Sequence, residues 1–184
     1  MGKVTITPEA FTLVLFEVDR IRDRAAEIAA TAGLDGDVHL EVDETNPLAR
    51  LRVISWEPIE LFAQGGAFED SRRLRHLSDR NLSESLGRLL FRVKDRLDPG
   101  FADAPEDEKL SLAQQNVWDV YCLGRLAAAG YDVAKPRWHY HFRLRHGFTD
   151  LSDAAFERVW MSDGLSWADL DAVCMETERA RTAG

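Results

Sequence analysis

Arg137-Trp138-His139-Tyr140-His141-Phe142-Arg143-Leu144-Arg145 alternates apolar and cationic side chains without a fault, and the fold class turns on that alternation. A period of two puts Trp138, Tyr140, Phe142 and Leu144 on one face of a strand and Arg137, His139, His141, Arg143 and Arg145 on the other. The segment therefore predicts a strand, the last of about four.

The other strands are expected upstream. Val38, Leu40 and Val42 alternate with His39, Glu41 and Asp43 after the turn Asp35-Gly36-Asp37. Leu51 to Trp56 and Ile59 to Ala63 follow, separated by Pro58 and closed by Gln64-Gly65-Gly66, which reads as a hairpin turn. An antiparallel meander is the simplest assembly of these pieces.

Helices are expected around this block. Thr7-Pro8-Glu9 has the form of a helix start, and Phe11, Val14, Val18, Ile21, Ala25, Ile28 and Ala32 continue at spacings of three and four up to Gly33. So long a stripe serves either a core or a dimer seam. After a polar, Arg-rich stretch from Ser71 to Arg80, Leu82 to Leu97 predicts a second helix, stopped by Asp98-Pro99-Gly100. An acidic loop from Phe101 to Glu108 precedes a third helix ending at Gly130, and the span from Pro99 to Asp107 reads as the place for a flexible excursion. Two helices close the chain, from about Ser152 to Met161 and from Ser166, where Asp169 three places on completes a capping box. The expected fold is α+β, an antiparallel sheet of about four strands covered by helices, in the order α-β-β-β-α-α-β-α-α.

With 184 residues the chain fits one globular domain, 1–184. Its 45% hydrophobic and 30% charged residues exclude a disordered class. No apolar stretch approaches bilayer length and the first residues lack signal-peptide regions, so a cytoplasmic setting is expected. The net charge of −9 argues against nucleic acid and against a polybasic membrane anchor. Cys122 and Cys174 stand alone in helical patterns and read as buried small hydrophobes.

In so acidic a chain the basic strand face needs an account. The plainest is charge pairing with His39, Glu41 and Asp43 on the first strand, joined by Arg50 and Arg52. A metal site is another, with His139 and His141 aimed the same way and Glu41 or Asp43 as third ligand, although three adjacent arginines oppose a cation. Anion binding is the third, with Arg137, Arg143 and Arg145 holding a phosphate or carboxylate beside His139 or His141.

The remaining constellations add little. The run of a helix, three strands and a second helix resembles the order of minimal zinc peptidases, but no histidine falls from Leu82 to Leu97, so no ligand set carries over. Nucleophile-elbow, phosphate-loop, Cys-x-x-Cys and dinucleotide motifs are absent from the sequence. The five tryptophans serve a core, a pocket or an interface. The chain thus reads as a small acidic interaction or regulatory protein, a monomer or homodimer, binding a protein partner or anionic small molecule through the basic face. The alternative is an enzyme built from His139, His141, Glu41 and Arg143, acting on a phosphorylated or carboxylated small molecule, with no cofactor identified.

Overall fold

The computed structural model describes residues 2–182. Contacts divide the chain into two compact units, Met1–Leu97 and Asp98–Gly184. The class is α+β, and among the described residues no helix is long and apolar enough to cross a membrane.

The first unit opens with a strand, β1 (Val4–Thr7), and not a helix. The β-branched run Val4-Thr5-Ile6-Thr7 alternates, Val4 and Ile6 are buried, and the strand pairs in parallel with β2 (Val38–Asp43). The helix expected from Pro8 begins only at Val18, as α1 (Val18–Ala32). In between, the N–H groups of Thr12 and Leu13 donate to the Glu44 carboxylate at 2.8 and 2.6 Å, so a side chain takes the donors that helix geometry would have used. Burial pushes the Glu44 carboxyl up, but the N–H bonds from Leu13, Thr12 and Val14 outweigh it and hold it below its ordinary value.

β3 (Leu51–Trp56) and β4 (Ile59–Gln64) form the expected antiparallel hairpin. The sheet is nonetheless mixed, in the order β1-β2-β4-β3, because β2 runs parallel to both β1 and β4. An antiparallel meander is thereby corrected: α1 supplies the crossover from β1 to β2 that a parallel pair requires. Gly65-Gly66 is no hairpin turn but opens a single 3-10 turn, Gly65–Ala67. The Arg-rich stretch holds a short hairpin, β5 (Glu69–Asp70) and β6 (Arg73–Leu77). α2 (Asp79–Leu97) completes the unit.

One sheet face carries Val38, Leu40, Val42, Ile59, Leu61 and Ala63, all buried, and α1 and α2 cover it with Ile21, Ile28, Leu82, Leu86 and Val93. The apolar stripe of α1 is consumed by this core. The opposite face exposes His39, Glu41 and Arg52.

Among the described residues, every element of the second unit is a helix. α3 (Leu112–Ala128) starts with a complete capping box, Ser111 and Gln114 bonding reciprocally. It contacts α4 (Lys135–His146), α5 (Asp150–Trp160) and α6 (Trp167–Thr182). Gly124 is where α3 meets α5, since a Cβ there would lie 2.1 Å from the Trp160 carbonyl oxygen. The span from Pro99 to Asp107 is no free excursion: a 3-10 turn at Pro99–Phe101 buries Phe101 against Trp118, with ring centroids 5.1 Å apart. Trp118, Trp138, Trp160 and Trp167 are buried, and only Trp56 is exposed. Each such burial contributes roughly 4 kcal/mol. Cys122 and Cys174 are free thiols.

The largest correction concerns residues 137–145, which are helix and not a fourth strand. Pro136 sits in the first turn, where its missing N–H costs nothing, and Gly147 stops the helix at φ 102°. Trp138, Phe142 and His146, four apart, form the buried stripe. The alternation at two is real in the sequence, but a helix with that stripe buries the same two aromatics and leaves Tyr140 and Leu144 exposed. The observed order is β-α-β-β-β-β-β-α-α-α-α-α.

Candidate ligand site on the fourth helix

Winding 137–145 into a helix splits the expected basic face in two. Residues advance about 100° each around an α-helix, so Arg137, His141 and Arg145, four apart, share one exposed stripe, while His139 and Arg143 share another that faces α5. The sheet-based charge lattice is therefore not formed: α4 pairs with no strand, and His39 instead meets Thr5, its Nδ1 3.0 Å from the Thr5 hydroxyl.

The inner stripe is an ion-pair seam. Lys135 Nζ lies 2.7 Å from Glu157, and His139 Nε2 lies 2.8 Å from Asp153 Oδ1. Arg143 grips the same carboxylate with both arms, Nε at 2.6 Å from Oδ1 and a terminal nitrogen on Oδ2. Hydrogen bonding from Arg143, aided by His139 against a desolvation penalty, holds the Asp153 carboxyl down at about 2, and the same bond raises Arg143. The His139 ring also stacks on Phe156, centroids 4.5 Å apart. The geometry ties α4 to α5.

The metal reading loses its geometry with the strand. His139 and His141 point about 200° apart around α4, and among the described residues no group of three His, Cys, Asp or Glu side chains gathers where an ion would sit. Glu41 lies exposed on β2 in the first unit.

The C-terminal end of α4 forms a different environment. His146 is 3% exposed, stacks on Phe142 at 4.0 Å, and has Nδ1 2.9 Å from Thr177 Oγ1. The Thr177 hydroxyl lies 2.9 Å from the Val173 carbonyl, to which it donates, so it accepts from Nδ1–H. Among the described residues, the buried Nε2 has no hydrogen-bond partner. Burial drives the His146 pKa down to about 4; the nearby Ala113 backbone works the other way and the Arg181 charge adds to the drop. The ring is neutral at pH 7.

His146 is the floor of a groove of about 520 Å3 between the start of α3, the end of α4 and α6, whose walls include Leu112, Leu144, Arg145, Met175 and Arg181. Cys174 also lines it, but burial first, then Asp171 and Glu178, push its thiol up to about 12, so it is no nucleophile. Of the residues expected to bind, only Arg145 reaches this groove. Asp153, His146, Thr177 and Arg181 were not anticipated from the sequence. The spacing Trp138, Phe142, His146 between Pro136 and Gly147 was the signal that pointed to a helix ending at a buried histidine. Comparison with protein-family models, with curated proteins and with solved structures gave no match to this chain.

Proposed function

We propose that this chain is an interaction or regulatory protein that binds an acidic segment of a partner through the exposed face of α4. The observation that carries the reading is the stripe Arg137, His141 and Arg145, exposed at four-residue intervals on a chain of net charge −9. Tyr140 and Leu144, 54% and 52% exposed, lie among these cations and suit a segment that mixes acidic and apolar residues. Cations on a helix face steer such a segment and fix its register. The proposal includes a cytoplasmic setting with no nucleic-acid or membrane partner, and it admits a homodimer, which native mass spectrometry registers as twice the chain's mass.

The test is fluorescence anisotropy with a labelled glutamate-rich peptide containing one tryptophan. Binding that weakens with salt, and weakens a further tenfold or so in Arg137→Glu/Arg145→Glu, supports the reading. Equal affinity in both proteins contradicts it.

A second reading, an enzyme using His139, His141, Glu41 and Arg143, has one supporting observation, the His139–Asp153 pair at 2.8 Å, a histidine–carboxylate contact of the kind used in general acid–base catalysis. Arg143 already occupies both oxygens of that carboxylate, which favours a structural role. Loss of small-ligand binding in both His139→Ala and His141→Ala, with folding retained, would favour the enzyme.

A further inference from the structure

Arg145 and Arg181 make no ion pair or hydrogen bond among the described residues, and both line the groove above His146. Several other cations of this unit find carboxylates: Lys135 has Glu157, Arg143 has Asp153, Arg158 has Glu176. Two arginines left without partners among the described residues, in one concavity, are available to an outside anion.

The rest of the lining narrows its chemistry. Asp171 and Glu178 share the groove with the arginines, Asp171 held at 2.8 Å by Gln114 Nε2. These acids repel a multiply charged anion such as a phosphate ester, while a single carboxylate fits a fork of guanidinium donors. Leu112, Leu144 and Met175 line the same groove at 58%, 52% and 49% exposure, so the walls offer uncovered hydrocarbon beside the charge. The floor adds no charge, because His146 is neutral and spends Nδ1 on Thr177. The volume, about 520 Å3, lies within the span of roughly 300–1,000 Å3 usual for small-molecule sites.

We propose that this groove binds a small amphiphilic monocarboxylate, its carboxylate between Arg145 and Arg181 and its hydrocarbon over Leu112, Leu144 and Met175. The ligand is a small molecule and not the partner segment proposed for the exposed stripe. Arg181 belongs to the groove alone and Arg137 to the stripe alone.

The experiment is a titration of the isotope-labelled full chain with octanoate, with octanol and inorganic phosphate as parallel probes, followed by backbone amide shifts. Saturable octanoate shifts at Leu112, Arg145, Met175 and Arg181 are expected, with octanol and phosphate each binding at least tenfold more weakly. Arg181→Gln should weaken octanoate about tenfold, whereas Arg137→Gln should change it less than twofold while weakening the acidic peptide. Met175→Glu, at an exposed position, should also abolish octanoate shifts without unfolding the chain. Absence of saturable octanoate binding, phosphate binding as tight as octanoate, or indifference to Arg181→Gln would each overturn the proposal. The acidic-peptide result on Arg137→Gln is independent of all three, so the two proposals fail separately.

Discussion

Arg143 on α4 holds Asp153 on α5 through two parallel N–H···O bonds, and His139, one turn earlier on α4, reaches the same carboxylate. Residues that a strand would have aimed at a ligand are instead a clasp between two helices.

The clasp has a pH signature. Asp153 is depressed to about 2 in the folded protein against 3.8 unperturbed, so the stability it contributes is present above about pH 4 and disappears as pH falls through about 2. Asp153→Asn should lower the urea midpoint at pH 7 and converge with the parent protein near pH 2. A variant equally stable at both ends of that range would show that the pair contributes nothing, the common outcome for exposed ion pairs.

His146 titrates in a different window. Its folded pKa of about 4 lies below the unperturbed 6.5, so the unfolded chain takes up the proton first and stability declines as pH falls from about 6.5 toward 4. Between pH 7 and 4.5 this amounts to about 2 kcal/mol. Urea unfolding of the parent and of His146→Leu at both pH values measures it, and the variant should lose less over that interval. An identical loss would place the proton elsewhere.

Gly124→Ala should destabilise by about 3 kcal/mol, because the added methyl meets the Trp160 carbonyl and forces α3 and α5 apart. Thermal melting reads the effect; a neutral substitution would mean that the two helices are further apart than the structure has them.

Protein purified without chelator or affinity-tag metal should contain no stoichiometric zinc, iron or manganese by elemental analysis. The reason is geometric: His139 is engaged by Asp153, and His141 lies on another side of α4. Near-stoichiometric metal lost in His139→Ala would restore the ligand set of His139, His141 and Glu41.

Much of the fold was legible where periodicity and punctuation agreed. Val38 to Asp43 alternates between turn residues, and Ser166 with Asp169 marks a helix start that forms as read. Two segments misled for the same reason. Val4 to Val14 and Arg137 to Arg145 each fit both periods over a short run, and long-range partners decided between them. Pairing of β1 with β2 and the reach of Glu44 to Thr12 and Leu13 made the first irregular after a strand. Packing of Trp138, Phe142 and His146 made the second a helix. Parallel pairing of β2 with β1 and β4 could not be read locally, because register between strands distant in sequence leaves no trace in either one. The groove was illegible for a like reason: Arg145 and Arg181 are 36 residues apart on different helices.

The most direct test of the central claim is an amide-shift map of the isotope-labelled chain titrated with the glutamate-rich peptide. Saturable shifts concentrated at Arg137, Tyr140, His141, Leu144 and Arg145 are expected. Shifts confined instead to the exposed arginines of the β5–β6 hairpin, Arg72, Arg73 and Arg75, or no saturable shifts at low salt, would contradict it.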